Sequence, residues 1–373
     1  MSLQTAWLAL MGLMLAGYFV LGGYDYGAQM LHPFLGDRHD RTSPHDRTPQ
    51  QGRNPQLGRE PQGGGPSEGE GIRPGRAADR NAALDAIAPF FLGNEVWLVA
   101  FAGVMFGAFP HLEGSLLSGL YPLFVAILTG LVLGNAAVQL RRRSRGARAR
   151  RVWGALIAFG GALPALCWGL VVGLLLHGVP RRADGSFHIG PGDVLTPFVM
   201  ACGLTTILLF AGHGAGFVAL RARPATAARA GELGARLLRA ASATALLALL
   251  LTLLGAGASM TNREAAAIVA AALAASLGAA WWSFTTGHLV RAFAATCCAT
   301  ALPVLLLGAG HYPYLLASSA GQGLDIGHAV TDGATLKILS VFGVLVVPTI
   351  LAYQAWNWWA FRGRTGRRHP SYF

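Results

Sequence analysis

The sequence predicts an all-α polytopic membrane protein with about nine transmembrane helices packed in bundles. Hydrophobic residues make up 53% of the 373 residues and charged residues only 12%, about half the charged share of soluble domains. Uncharged apolar runs of about 20 residues, long enough for a helix to cross a bilayer, recur along the chain, as at 121–140 and 338–356. Most basic residues lie between these runs.

Nine apolar segments are candidate spans. They lie approximately at residues 5–35, 83–110, 112–140, 152–178, 195–222, 233–260, 264–287, 291–318 and 334–361. No basic segment precedes the first, so we interpret it as a spanning helix and not as a cleaved signal peptide. The seventh is rich in alanine, and Trp281 and Trp282 indicate its interfacial end. Together the spans predict a single membrane domain over residues 1–373.

The distribution of arginine predicts the orientation. The odd-numbered connections between spans and the C-terminal tail hold 25 of the 28 arginines, whereas the even-numbered connections hold Arg181, Arg182 and Arg263. Because positively charged loops stay in the cytoplasm, we expect the N-terminus outside and the C-terminus inside. Basic loops beside anionic lipid also account for the net charge of +12, so no nucleic acid partner is expected.

The connection after the first span, residues 37–79, is of low complexity. It is rich in proline, glycine, glutamine and charge, and it has no apolar period. Such a segment cannot bury enough surface to offset its ordering entropy. We therefore expect a disordered cytoplasmic loop, whose His39 and His45 are solvated and do not bind a metal.

A polar stripe follows one face of the first span. Tyr18, Gly22, Asp25, Gln29 and His32 are separated by steps of four, three, four and three residues, which places them on one side of a helix. Such a stripe must face protein or water and not lipid. We expect Asp25 to lie inside the bundle in a polar network with Gln29. A hydrogen-bonded seam, a proton or cation path and a subunit contact all fit this pattern.

The second span carries a second acid, Glu95, about three turns from its start. Asp85, Leu92 and Glu95 are predicted to share one helical face, and Asn94 and Trp97 a neighbouring one. Acids in two consecutive spans could share a proton or a partner.

Several segments resemble subunit II of the cytochrome bd-type quinol oxidases. The family pattern has an acid-G-F-D-x-G segment followed by D-G-N-E-V-W, and this chain has "GYDYGAQML" and "GNEVWL", then "FGAFP". The resemblance continues at 311–318 and 335–364 and covers nearly the whole chain, with an apparent insertion after the first span. The matching positions are Gly23, Tyr24, Asp25, Gly27, Gly93, Asn94, Glu95 and Trp97.

The resemblance implies a subunit of a heterodimeric oxidase that couples quinol oxidation to the reduction of dioxygen to water. It implies a partner, subunit I, that carries haems b and d and the quinol site. This chain would bind no cofactor or metal through its own ligands and would not be catalytic alone. It would support assembly and proton access in the cell membrane, with Asp25, Gln29 and Glu95 as a proton path or polar network. Membrane lipid is an expected partner, and a structural quinone is a further option.

Two positions depart from the family pattern. Gly22 replaces the acid before G-F-D, and Leu92 replaces the aspartate before G-N-E-V-W, which is a leading candidate for the family's proton path. Leucine cannot relay a proton. The route could shift to Glu95, or this chain could support a different route or a weaker oxidase. A degenerate assembly subunit and a secondary transporter remain alternatives, although the chain has no convincing internal repeat.

His213 is the histidine deepest in a predicted span. Gly214 and Gly216 beside it could admit a flat cofactor. A buried histidine paired with a neighbouring helix is the favoured interpretation, and the resemblance also argues against haem on this chain.

Overall fold

The computed structural model describes residues 2–35, 82–141, 146–256, 259–319 and 321–363. Within these ranges nine helices are long and apolar enough to cross a membrane. This confirms the predicted nine-helix membrane architecture. The predicted disordered loop at 37–79 lies outside the described residues.

Helices make up most of the described residues. In chain order they are α1 (Leu3–Leu35), α2 (Ala82–Ile87), α3 (Phe91–Ala108), α4 (Pro110–Gly119), α5 (Tyr121–Leu140), α6 (Ala147–His177), α7 (Pro191–Val194), α8 (Pro197–Arg221), α9 (Pro224–Leu251), α10 (Arg263–Thr285), α11 (Leu289–His311), α12 (Ile326–Ala329) and α13 (Gly333–Ala360). A π-helical turn, Thr252–Ala256, continues α9, and strands β1 (Tyr314–Ser318) and β2 (Gly321–Asp325) form an antiparallel hairpin. The membrane-length helices of the described part are α1, α3, α5, α6, α8, α9, α10, α11 and α13.

Proline sets the limits of the second and third spans. The second was predicted to be continuous over 83–110, but it is interrupted between α2 and α3, and Pro89 lies in the interruption. Proline lacks a backbone N–H and disfavours helical geometry in the residue before it. The predicted third span is likewise divided, because α4 begins at Pro110 and α5 carries Pro122 in its first turn.

The eighth span is shorter than the predicted 291–318. Helix α11 ends at His311, and Pro313 follows two residues later, as is common after a helix end. Residues 314–318 instead form β1, in which Leu316 pairs with Leu324 of β2. The all-α prediction therefore missed a small hairpin beside the bundle.

Helix α1 lies at the centre of the bundle and packs against α2, α3, α6, α8 and α11. Its crossing with α8 brings two backbones into contact at Gly27 and Gly214. An ideal Cβ built on Gly27 would lie 2.1 Å from the carbonyl oxygen of Phe210, and one on Gly214 would lie 2.5 Å from the Cα of Gly27. Small residues allow such close approach between membrane helices.

A second close crossing positions α6 between α1 and α5. A Cβ on Gly160 would lie 2.3 Å from the Cα of Gly134 in α5, and a Cβ on Gly161 would lie 2.5 Å from the carbonyl oxygen of Tyr26 in α1. Consecutive glycines of α6 therefore face two different helices. This crossing fixes the side of α1 that carries Gln29, whose Cβ is 2.9 Å from the same Gly161 position.

Helix α13 lies at the edge of the bundle and packs against α3. Its buried residues are Leu336, Gln354 and Asn357. Asp332 caps its N-terminus by accepting hydrogen bonds from the backbone N–H groups of Ala334 and Thr335, at 2.9 and 3.0 Å. Hydrogen bonds from the side chain and backbone of Thr335 lower the pKa of Asp332. The ionised carboxylate of Asp332 therefore stabilises the folded protein at neutral pH. This stabilisation is lost as the pH falls through the folded-state pKa.

We predict that Gly27→Val prevents the close crossing of α1 and α8. The added side chain would meet backbone atoms, which cannot rotate away. The free energy of unfolding should therefore fall by at least about 3 kcal/mol. The matched control is Gly12→Val in the same helix, where a Cβ meets nothing within 4 Å. Thermal unfolding of the purified protein measures both. Equal stability of the two variants would contradict the crossing.

Candidate functional site

Asp25 of α1 is buried, with 4% of its surface exposed, as the polar stripe predicted. Its Oδ2 accepts a hydrogen bond of 2.8 Å from Nδ2 of Asn94 in α3. Asn94 is fully buried, and the same Nδ2 lies 2.7 Å from the hydroxyl of Tyr24 and 3.3 Å from the carbonyl oxygen of Leu21. One amide therefore joins α3 to three groups of α1.

The hydrogen bonds continue from Asn94 into α13. Oδ1 of Asn94 accepts from Nε2 of Gln354 at 3.3 Å, and Oε1 of Gln354 accepts from the indole N–H of Trp97 at 3.4 Å. Tyr24, Asp25, Asn94, Trp97 and Gln354 are all buried, and we call them the Asn94 network. It connects three helices that are far apart in the sequence.

Glycines bring the helices of the Asn94 network close together. A Cβ on Gly93 would lie 3.2 Å from Nδ2 of Asn357 and 3.3 Å from the hydroxyl of Tyr353, both in α13. A Cβ on Gly17 of α1 would lie 2.1 Å from Cε3 of Trp97. The sequence "GNEVW" therefore contributes close contacts of α3 with both α1 and α13.

Glu95 is half-buried on α3 and accepts a hydrogen bond from Asn135 of α5. Glu95 follows Asn94 directly in the sequence, but its hydrogen bond is separate from the one between Asn94 and Asp25. Among the described residues, no hydrogen bond joins the carboxyl groups of Asp25 and Glu95. The two acids are held by separate amides, Asp25 by Asn94 of α3 and Glu95 by Asn135 of α5.

The sequence suggested a polar network of Asp25 with Gln29, but among the described residues no hydrogen bond joins the two side chains. Gln29 is 1% exposed, and its Oε1 lies 2.7 Å from the Cβ position of Gly134, at the crossing of α5 and α6. Within the described ranges, three buried atoms of α1 have no hydrogen-bond partner: Oδ1 of Asp25, Oε1 of Gln29 and Nδ1 of His32. They belong to the predicted stripe and form a row of polar atoms toward the C-terminal end of α1.

The two positions that depart from the family pattern differ in their surroundings. A Cβ on Gly22 would lie 2.9 Å from the ring of Tyr18, so an acid there would require that ring to move. Leu92 is 63% exposed on the outer surface of α3. The predicted common face of Asp85, Leu92 and Glu95 was wrong, because Asp85 lies in the separate helix α2.

His213 pairs with two neighbouring helices, which confirms the favoured interpretation. Its Nε2 is 2.9 Å from the carbonyl oxygen of Val20 in α1, and its Nδ1 is 2.7 Å from the hydroxyl of Thr296 in α11. A carbonyl only accepts, so Nε2 carries the proton and Nδ1 accepts. Both ring nitrogens are therefore engaged in holding helices together. Over the described residues, no group of three His, Cys, Asp or Glu side chains could hold a metal ion.

A cavity of about 440 Å³ lies between α6, α8, α9, α10 and α11. Ten of its 24 lining residues are alanines and leucines of α9 and α10. Its hydroxyl groups are already engaged: Thr205 donates to Ala201, Thr206 to Cys202 and Ser242 to Leu238. Apart from Arg263, which also lines it, the cavity offers mainly apolar surface and therefore suits an apolar chain.

Sequence reasoning missed Gln354 and Asn135. Each is an amide within an otherwise apolar span, in "ILAYQAW" and "LVLGNAAV". Polar side chains inside membrane helices usually face a partner in the bundle, and this signal could have identified both residues. Their partners could not be identified in this way.

The nine apolar helices of the described residues are those of a multi-pass membrane protein. The chain belongs to the cytochrome bd terminal oxidase subunit II family, whose model matches residues 70–361. Cytochrome bd ubiquinol oxidase subunit 2 of Bacillus subtilis (strain 168) is 24% identical over 371 residues, covering 99% of this chain and 98% of the relative.

Further similarities agree with this assignment. Cytochrome bd-I ubiquinol oxidase subunit 2 of Escherichia coli (strain K12) is 24% identical over 408 residues, covering 97% of this chain and 95% of the relative. The structure of bd oxidase from Geobacillus thermodenitrificans matches with a TM-score of 0.65 and 17% identity, covering 97% of this chain and 100% of that chain. At this identity the structural match shows a shared fold.

We predict that Asn94→Leu destabilises the bundle by about 3 kcal/mol, because it leaves several buried polar groups without their partner. Thr349→Val is the control, since among the described residues the Thr349 hydroxyl bonds only to the carbonyl of Leu345 in its own helix. Thermal unfolding of the purified protein gives the difference. An Asn94→Leu protein as stable as the control would show that the network does not hold the helices.

Proposed function

We propose that this chain is the subunit of a cytochrome bd-type terminal quinol oxidase that supports assembly and proton access. In this proposal a haem-bearing subunit I oxidises quinol and reduces dioxygen to water. The family membership and the names of the relatives support the oxidase assignment. The observation that carries the proton role is the row of buried polar atoms on α1 that have no partner among the described residues.

The spacing of the row fits a hydrated path. Residues 25, 29 and 32 are separated by four and three positions, or about 6 and 4.5 Å along a helix. Buried polar atoms without a protein partner are usually satisfied by water. Water between these side chains would allow a proton to pass from His32, past Gln29, to the carboxyl group of Asp25.

The direction of the path follows from the orientation predicted by arginine. If the N-terminus is outside, the C-terminal end of α1 lies at the cytoplasmic surface, and His32 lies nearer that surface than Asp25. Protons would then enter from the cytoplasm. Asp25 would be the acid at the end of the path that lies farther from the cytoplasmic surface. There its Oδ2 accepts a hydrogen bond from Asn94, and its Oδ1 is left available to take up a proton.

Glu95 offers a second route. With Leu92 at the position of the family aspartate, Glu95 is the acid one turn further along α3. It is half-buried and lies against Asn135 of α5. The proposal assigns to Glu95 a share of the proton traffic, separate from the Asn94 network.

The partner subunit and lipid would cover the exposed apolar faces. Helix α13 carries exposed Val341, Phe342 and Val344 on its outer side, and Leu92 and Val99 are exposed on α3. These adjacent helices could contact either subunit I or the acyl chains of the cell membrane. The apolar cavity between α6 and α11 suits the tail of a lipid or of a structural quinone.

We predict that Asp25→Asn and Glu95→Gln preserve assembly and slow oxygen consumption. Each change keeps size and hydrogen bonding but removes titration, so haem content should stay normal while turnover falls by about tenfold or more. Haem spectra and oxygen uptake of the purified complex measure the two effects.

The same variants test the structural alternative. A degenerate subunit that serves only assembly would show reduced haem content with normal turnover of the complex that forms. Gly12→Val, at a site with open surroundings, is the control for general effects of substitution in α1. Full assembly and full turnover in both variants would exclude both roles.

The predicted orientation can be tested separately. A cysteine in place of Ser186, which is exposed between α6 and α7, should react with a membrane-impermeant thiol reagent in intact cells. A cysteine in place of Ser144, in the arginine-rich connection between α5 and α6, should react only after the cells are opened. The reverse labelling pattern would overturn the orientation and the direction of the path.

A further inference from the structure

The orientation of the Asn94 amide is determined from both ends of the Asn94 network. An indole N–H can only donate, and a main-chain carbonyl can only accept. Because Trp97 donates to Gln354 at 3.4 Å, the Gln354 atom that faces it is Oε1, and Nε2 faces Asn94 at 3.3 Å. At the other end, the carbonyl of Leu21 requires Nδ2 of Asn94 on its side. The two ends agree on a single orientation.

This orientation makes the two oxygens of Asp25 different. Oδ2 always meets the amide nitrogen of Asn94, which donates and cannot accept a proton. Oδ1 is buried and has no hydrogen-bond partner among the described residues. A proton can therefore bind to Oδ1 without breaking a hydrogen bond of the network, whereas a proton on Oδ2 would point at a donor.

We propose that Gln354 is a positioning residue for proton transfer at Asp25. Together with the carbonyl of Leu21, Gln354 holds the Asn94 amide in one orientation, which reserves Oδ1 as the oxygen that takes up and releases the proton. On uptake an O–H bond forms at Oδ1 as an O–H bond of a water molecule of the proposed path breaks, and on release the reverse occurs, while Oδ2 remains the acceptor of the Asn94 N–H throughout. This inference rests on the proposed role of Asp25 in proton supply.

Without Gln354 the amide of Asn94 would be oriented from one end only, by its 3.3 Å hydrogen bond to the carbonyl of Leu21. Asn94 could then turn its oxygen toward Asp25 and accept from a protonated Oδ2, so that the proton would occupy either oxygen. Trp97 acts through the same link, because its N–H is what orients Gln354. Substitution of either residue should therefore have the same effect on Asp25.

Three variants separate this role from packing. Gln354→Leu removes the link, and Trp97→Phe removes the donor while keeping an aromatic ring. Asn357→Leu is the matched control, because Asn357 is a buried amide one turn along α13 that lies against Gly93 and outside the Asn94 network. Infrared difference spectroscopy of the purified oxidase complex identifies the Asp25 signal as the band that Asp25→Asn removes.

We expect the Asp25 C=O band to move to higher wavenumber in Gln354→Leu and Trp97→Phe, because the carbonyl loses a donated hydrogen bond. The double variant should shift it no further than the larger single change, since both act through one link. Oxygen consumption should fall about tenfold, as expected for loss of one hydrogen bond to an ionisable group. Asn357→Leu should leave the band unchanged.

An Asp25 band that does not move in Gln354→Leu would overturn the proposal. An equal shift in Asn357→Leu would also overturn it, because the effect would then come from packing. Failure of the underlying function gives a different result: Asp25→Asn would consume oxygen at the wild-type rate. In that case the position of the band would still decide whether Gln354 orients the carboxyl group.

Discussion

A polar side chain inside a membrane protein must find its partners within the bundle, and the amide of Asn94 is where this constraint acts most strongly. Asn94 is fully buried, and its hydrogen bonds reach Leu21, Tyr24 and Asp25 of α1 and Gln354 of α13. Lipid offers no substitute for these groups. The positions of α1, α3 and α13 therefore depend on one another.

Close helix crossings make this arrangement possible. Gly27 and Gly214 bring the backbones of α1 and α8 into contact, and Gly160 and Gly134 do the same for α6 and α5. Because Gly17 leaves room for the ring of Trp97, α3 can approach α1 closely enough for Asn94 to bond. Because glycine has no side chain, the helices can approach closely at these sites. This approach brings together the polar groups on which the proposed proton path depends.

The sequence predicted much of the fold and part of the site. The polar stripe on the first span predicted that Asp25 is buried. This prediction needs only the helical spacing of the stripe and the cost of exposing a carboxylate to lipid, and both can be read from one segment of the sequence. The α3 motif identified Asn94 and Trp97, but not their bonds to Gln354, which lies about 260 positions away. Hydrogen bonds between distant helices depend on how the helices are arranged in space, and this arrangement cannot be read from the periodicity of the sequence.

Other differences have equally physical causes. Pro89 divides the predicted second span, and residues 314–318 pair with β2 because their partner strand follows within a few residues. Gln29 was expected beside Asp25, yet the crossing of α5 and α6 places its amide against Gly134. A helical wheel gives the face of a residue but not the neighbour that covers it.

Proton uptake during a single turnover tests the central claim most directly. The purified oxidase, reconstituted in vesicles with a pH indicator on the cytoplasmic side, would be reduced and mixed rapidly with oxygen. The account predicts that Asp25→Asn slows proton uptake from that side while electron transfer to the haems begins at the normal rate. Uptake at the wild-type rate in Asp25→Asn would contradict it.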